Sequence, residues 1–161
     1  MKEIKLTKGY VAIIDDDDYE SVSQWKWCAS ENHKKVYALH YFNNSETGKK
    51  EMISMHRFIM GVPGNGLIVD HKNHDTLDNR KENLRICNRH ENAWNQKIEK
   101  SKYKGVSFCY WNKVKPFSAH IAINSKLMHL GYFETQEEAA RAYDKKAIEL
   151  FGEFACLNFK N

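Results

Sequence analysis

Residues 67–95 constrain this chain more than any other part of it. They read as an apolar strand, a long polar loop, a second short strand and a helix, in that order. The first strand, LIVDH, ends on Asp70 and His71. The loop KNHDTLDNRKEN follows, then the strand LRI. A helix opens at Asn88, with Glu91 three residues on as the partner of a capping box. The surrounding stretch, residues 55–96, holds four of the chain's eight histidines and a dense run of asparagines.

The residue types suggest a chemistry. Asp70 and His71 sit together at a strand end; Asn83 lies 12 residues after His71, and Asn92 lies 9 further on, on the helix. Hydrolysis of a phosphodiester needs a base to activate water. It also needs a divalent cation to neutralise the pentavalent phosphate and the leaving oxygen. A neutral imidazole at position 71 suits the base role near pH 7. The Asp70 carboxylate and the Asn92 amide oxygen are hard donors suited to magnesium or manganese. Asn83 could accept a hydrogen bond from His71 and fix its ring and tautomer. Asp-His is a common dipeptide, and a polar loop accounts for the asparagines equally well. His74 and His90 read as ordinary loop and helix residues. For His56 and Arg57, which open the amphipathic stretch RFIM, a phosphate contact and plain packing both stand open.

The run VDHKNHDTLDNRKENLRICNRHENAWN (residues 69–95) resembles the HNH endonuclease motif, nearest to the branch found in phage and intron-encoded homing nucleases. The upstream MHRFIMG resembles that family's lead-in helix. The resemblance implies a ββα-metal unit with Asp70 and Asn92 as metal ligands, His71 as general base and Asn83 as its orienter. A metal-dependent cut in double-stranded DNA is the activity it implies. The cysteine pairs that hold a structural zinc in some HNH proteins have no counterpart, since the four cysteines are dispersed and form no C-x-x-C. Free thiols in a reducing compartment are expected.

The flanks differ from this centre. Residues 1–54 are expected to be β-rich, with strands in KGYVAII, QWKWCA, KVYALHYF and EMISM. Trp25 and Trp27 read as strand residues. The acidic run Asp15 to Asp18 reads as a solvated turn whose last Asp caps a short helix. Residues 97–102 read as a linker. In residues 103–161 the strands KGVSFCY, FSAHIAI and LMHLGYF precede a helix capped by Thr135 and Glu138. The apolar face of that helix is Ala139, Ala140, Tyr143, Ala147, Leu150 and Phe151. The expected class is α+β: a ββα-metal HNH unit over 55–96, a β-rich region over 1–54 before it, and a three-stranded antiparallel sheet packed on one helix over 103–161.

Net charge is +4, and its distribution matters more than its size. Residues 101–131 carry five lysines and no acid, whereas residues 134–153 carry three basic and six acidic residues. A basic sheet backed by an acidic helix suits a polyanion on one face and solvent on the other. An ordinary solvated sheet would also fit that pattern. The segments YKGVSFCYW (103–111) and HLGYFETQEEAARAYDKKAIELFGEFACLNF (129–159) resemble the plant apetala/ethylene-response-factor DNA-binding domain. That resemblance implies a sheet laid in the major groove, with Lys104 and Trp111 at positions that contact DNA. Ser107, Cys109 and Ala122 stand where the plant proteins usually carry Arg, His120 where they often carry Glu, and His129 where they often carry Trp. The expected DNA-contacting set is Lys104, Ser107, Cys109, Trp111, Lys113, His120, Lys126 and His129, with a base preference unlike that of the plant proteins.

The leading expectation is a homing-type HNH endonuclease with a C-terminal duplex-binding sheet. The alternative is a DNA-binding regulator that does not cut; a sheet that stacks RNA bases is a third class. No membrane-length apolar run occurs and MKEIKLTKGY has no apolar signal core, so a secreted or membrane-spanning chain is disfavoured. The expected setting is the cytoplasm of a bacterium or a phage-infected host cell, with no protein partner implied.

Overall fold

The computed structural model describes residues 1–97 and 101–159. Of the linker expected over 97–102, residues 98–100 lie outside this description. The chain forms two compact units, Met1–Arg89 and His90–Asn161.

The first unit is built from small antiparallel sheets. Strands β1 (Lys2–Lys5) and β2 (Val11–Ile14) pair with Lys2 opposite Ile14. The short β1 was not anticipated. A brief helix α1 (Tyr19–Ser23) follows the acidic run. Asp18 occupies its N-cap position but makes no side-chain capping bond there. Its Oδ1 instead lies 2.7 Å from Lys81 Nζ. Strands β3 (Cys28–Asn32), β4 (Lys35–Asn43) and β5 (Lys50–Ser54) form a meander in the order β3-β4-β5. The turn between β4 and β5 is shaped by Asn44, whose Oδ1 accepts from the amides of Glu46 and Thr47.

Both tryptophans of the QWKW segment precede β3 rather than lying in it. Trp27 is a core residue, and its Nε1 donates to Val22 O at 2.9 Å, so its polar edge is satisfied. Around it pack Ile4, Leu6, Ala12, Ile14, Val22, Ala38 and Met55. Helix α2 (Met55–Met60) is the expected lead-in helix. Strands β6 (Ile68–His71) and β7 (Leu84–Cys87) pair antiparallel, and the polar loop runs between them.

That loop is fastened to the preceding part of the unit at three places. The Ile13 amide donates to Leu77 O, and the Asn79 amide donates to Ile13 O, at 2.8 and 2.7 Å. Thr76 Oγ1 donates to Val36 O at 2.6 Å. The Lys81 amide donates to Asp15 Oδ2 at 2.7 Å, beside the Lys81–Asp18 pair. Asp15 and Asp18 of the acidic run therefore clamp the loop, while Asp16 and Asp17 stay exposed to solvent as expected.

The second unit contains α3 from His90 onward (α3 spans Arg89–Trp94) and strands β8 (Val106–Phe108), β9 (Phe117–Ile123) and β10 (Lys126–Phe133) in the order β10-β9-β8. Helix α4 (Gln136–Phe151) packs behind them. The Thr135–Glu138 capping box forms in both directions. Tyr143, Ala147 and Phe151 bury against Ile121. Gly105 has φ +74°, and a Cβ there would meet the Tyr143 ring at 2.0 Å, so only glycine fits. The buried carboxylate of Asp144 accepts from the amides of Asn158 and Phe159 and so holds the chain after α4 in place.

Candidate active site and candidate nucleic-acid interface

Strand alternation sends Asp70 and His71 to opposite faces of β6. Asp70 stands opposite Arg85 in the register, and Arg85 Nε and NH2 donate to Asp70 Oδ2 at 3.2 and 3.0 Å. Their side chains are only 11% and 7% exposed, so the guanidinium compensates a carboxylate that would otherwise be costly to bury.

His71 is 5% exposed. Its Nε2 lies 3.3 Å from Asn79 Oδ1. Asn79 is 1% exposed, and its Nδ2 donates to Leu77 O at 3.1 Å. With the amide nitrogen committed there, the Asn79 oxygen faces the ring and accepts the Nε2 proton. This tautomer places the basic lone pair on Nδ1. Burial pushes the His71 pKa below the ordinary histidine value; the Asn79 bond and the carboxylates of Asp70, Asp75 and Asp78 oppose that shift. The ring is therefore neutral at pH 7, the form a base requires.

His56 lies beside it, with ring centroids 4.9 Å apart and an edge-to-face arrangement. Its Nε2 is 3.1 Å from Ser54 Oγ. Burial, then the proximity of His71 and of Arg57, lowers its pKa to about 3. A ring so firmly neutral adds no positive charge for a phosphate, and the structure gives His56 a packing place against His71. Arg57 is exposed. The Tyr37 ring borders both histidines, 6.0 Å from His56 and 6.5 Å from His71.

Asn83 does something other than the expected ring contact. Its Oδ1 accepts from the Asn73 amide at 3.0 Å and its Nδ2 donates to Asp78 O at 2.8 Å, bracing the loop across its width. The orienting bond to His71 comes from Asn79. Sequence reasoning missed Asn79; the only signal was its place in the same loop, eight residues after the histidine. Asp78 is a further brace, paired with Arg80 through Oδ1 and Oδ2 at 2.7 Å each; the Arg80 bonds hold its carboxyl below the usual range. Asn92 lies on α3, in the second unit, and its partnership with Asp70 rests on motif spacing. Among the described residues no three His, Cys, Asp or Glu side chains gather as a metal-binding group.

In the second unit the outer face of the sheet collects Ser107, His120 and His129 of the expected contact residues, with Trp111 against Tyr132, whereas Lys126 pairs with Ile123 on the core-packed side. His120 stands opposite His129, Ser118 opposite both Tyr132 and Ser107. Ser107 Oγ is 3.0 Å from Ser118 Oγ and 3.4 Å from His120 Nδ1. The Tyr132 ring sits 4.5 Å from His129 and 5.1 Å from Trp111, which is 71% exposed. Lys113 and Lys126 are exposed, and Cys109 is half-buried with its amide donating to Pro116 O.

Lys104 is the exception. Its ammonium donates to Trp94 O and Gln96 O, both at 2.7 Å, at the C-terminal end of α3. Burial lowers its pKa. Its backbone is held by Asn158 on both sides, with its amide donating to Oδ1 and its carbonyl accepting from Nδ2. A cation held by helix-end carbonyls is a structural fastener.

Residues 58–94 match the HNH endonuclease family. Over 156 residues the chain is 33% identical to an uncharacterized HNH endonuclease of Acanthamoeba polyphaga mimivirus, covering 94% of this chain and 76% of that one. The chain belongs to the HNH endonuclease family. The matched segment of this HNH endonuclease spans Asp70, His71, Asn79, Asn83 and Asn92, and begins just after His56 and Arg57. Its C-terminal part is similar to plant proteins. It is 33% identical over 95 residues to an ethylene-responsive transcription factor of Arabidopsis thaliana, covering 58% of this chain and 60% of that protein. It is also 41% identical over 59 residues to an APETALA2-like protein of Oryza sativa, 37% of this chain and 13% of that one. No helix among the described residues is long and apolar enough to cross a membrane.

Proposed function

We propose that this HNH endonuclease is of the homing type and hydrolyses phosphodiester bonds in double-stranded DNA with a divalent cation, magnesium or manganese. The observation that carries the reading is the state of His71: buried, neutral, with Nε2 against Asn79 Oδ1, one residue from the carboxylate of Asp70. His71 Nδ1 takes a proton from a water molecule as that water's oxygen attacks phosphorus. The new P–O bond forms as the bond to the leaving sugar oxygen breaks, and a proton returns to that oxygen from solvent.

Asp70 and Asn92 would hold the cation; a carboxylate anchored by Arg85 and an amide are oxygen donors that fit a hard ion. Bound there, it would neutralise charge on the phosphate and the leaving oxygen. Asn79, Asn83 and Asp78 keep the loop rigid around the base. The duplex would be gripped by the outer sheet face of the second unit, through Ser107, Trp111, His120 and His129, with the exposed Lys113 and Lys126 beside it. With Ser107, Cys109 and Ala122 where the plant proteins usually carry Arg, this grip is loose in sequence preference.

The test is cleavage of supercoiled plasmid with magnesium or with excess chelator, wild type beside His71→Ala. Nicked or linear product that needs both the metal and His71 is expected. Cutting by His71→Ala at the wild-type rate, or cutting in chelator, refutes the mechanism.

A further inference from the structure

The β3-β4-β5 meander sorts its residues by face. The register places Lys35, Tyr37, Leu39 and Tyr41 of β4 on one side, with Met52 opposite Tyr41 and Lys50 opposite Asn43. The other side carries Ala29, Val36, Ala38 and Ile53, which pack into the core. The two acids of these strands, Glu31 and Glu51, both fall on that core-facing side, by the same alternation. The outer face is thus basic and apolar with no acid in its strands. It is also open: Tyr41 is 44% exposed and Met52 63%. Lys50 Nζ sits 5.5 Å from the centre of the Tyr41 ring.

One end of this face meets the candidate active site, where Tyr37 borders His71 and His56. From Tyr37 to Tyr41 is four residues of extended chain, about 14 Å. At 3.4 Å per step along a strand of duplex this is about four base pairs. Asn43 and its neighbour Lys50 lie about two base pairs further on.

From this continuity and charge we infer that the outer face of the β3-β4-β5 meander is a second duplex-binding surface. It would track the DNA backbone away from the scissile phosphate, with Lys35 and Lys50 on phosphates and Tyr41 and Met52 against the sugars. Its position relative to the cut rests on the reading of His71 as the base; its affinity for duplex does not.

The test uses the full chain with Lys35→Ala and Lys50→Ala combined, and duplex affinity measured across a salt series. Loss of two phosphate contacts should weaken binding at least fivefold near 0.1 M salt. It should also make the slope of log K against log salt shallower by nearly 2. Cleavage at saturating substrate should keep its kcat and show a raised KM. Tyr41→Ala should weaken binding without changing the slope. Both lysines are exposed, so an unchanged melting temperature is the check that the unit is intact. An unchanged affinity and slope in the double variant overturns the inference, even if the wild type cuts as proposed. Should the wild type bind duplex yet never cut, the proposed activity fails and the salt slope still decides this surface.

Discussion

Replacing Asn79 by alanine separates the holding of the base from the base itself. The change removes two side-chain bonds, one to His71 Nε2 at 3.3 Å and one to Leu77 O at 3.1 Å, while the backbone bond to Ile13 O survives. A neutral hydrogen bond contributes about 0.5–1.5 kcal/mol net, so the folded unit should lose about 1–3 kcal/mol. The same 0.5–1.5 kcal/mol is the bias that keeps the proton on Nε2 and the lone pair on Nδ1. Its loss corresponds to about two- to tenfold in the population of competent rings, since about 1.4 kcal/mol is tenfold. Asn79→Ala should therefore slow single-turnover cleavage about two- to tenfold. His71→Ala, which removes the base, should cost roughly 10²–10⁴.

Asn79→Asp supplies the discriminating readout. It restores an acceptor to Nε2, so the rate should recover relative to alanine. Its charge also favours the imidazolium, opposing the burial that depresses the His71 pKa. A ring that protonates more easily loses its base form at higher pH, so the acid limb of the rate profile should move upward. Alanine and aspartate variants of equal rate and identical pH profile, both folded, would refute the role given to Asn79.

Three further outcomes follow from the same geometry. The His56 pKa is about 3 in the folded chain, against an ordinary value near 6.5. Stability from this ring is therefore present above about pH 6.5 and is lost as pH falls towards 3, at about 1.4 kcal/mol per pH unit for one proton. His56→Phe should flatten the fall in denaturation midpoint between pH 7 and 4.5, and equal pH dependence in the two proteins would contradict the burial argument. Lys104→Met should cost about 1.5–3 kcal/mol by leaving the Trp94 and Gln96 carbonyls without their charged donor. The salt slope of duplex binding should stay unchanged, and a shallower slope would restore Lys104 as a phosphate contact. Tyr143→Ala should cost about 3–5 kcal/mol by calorimetry, because the ring is buried against Ile121 and over Gly105. An unaltered melting temperature would contradict that packing.

What could be read from the sequence was what is local. The Thr135–Glu138 cap, the α4 face and the strand end at His71 each depend on residues within a turn or a strand of one another. Local chemistry also misled. Asn79 and Asn83 sit in one polar loop, and residue spacing does not say which amide turns towards the histidine. That is settled by bonds to Ile13 and Val36, distant in sequence. Lys104 reads as one lysine among five in a basic segment; only the end of α3 shows that its charge is already used. The KEIK strand is too short to announce itself, and becomes a strand because β2 pairs with it.

The residues before the motif then take on a definite purpose. A loop rich in asparagine and aspartate buries little apolar surface, so its own composition cannot fix its shape. Its asparagines and Asp78 satisfy one another, but that network has to be set in a single register to hold His71 in one tautomer. The register comes from outside: the β2 edge takes Leu77 and Asn79, β4 takes Thr76, and Asp15 and Asp18 take Lys81. These anchors lie up to 66 residues from the loop in sequence. The loop and the region before it thus form one mechanical object, which agrees with a resemblance to the mimivirus protein that runs through 94% of the chain and not through the motif alone. Cutting residues 55–96 free would keep every motif residue and lose the frame that aims them.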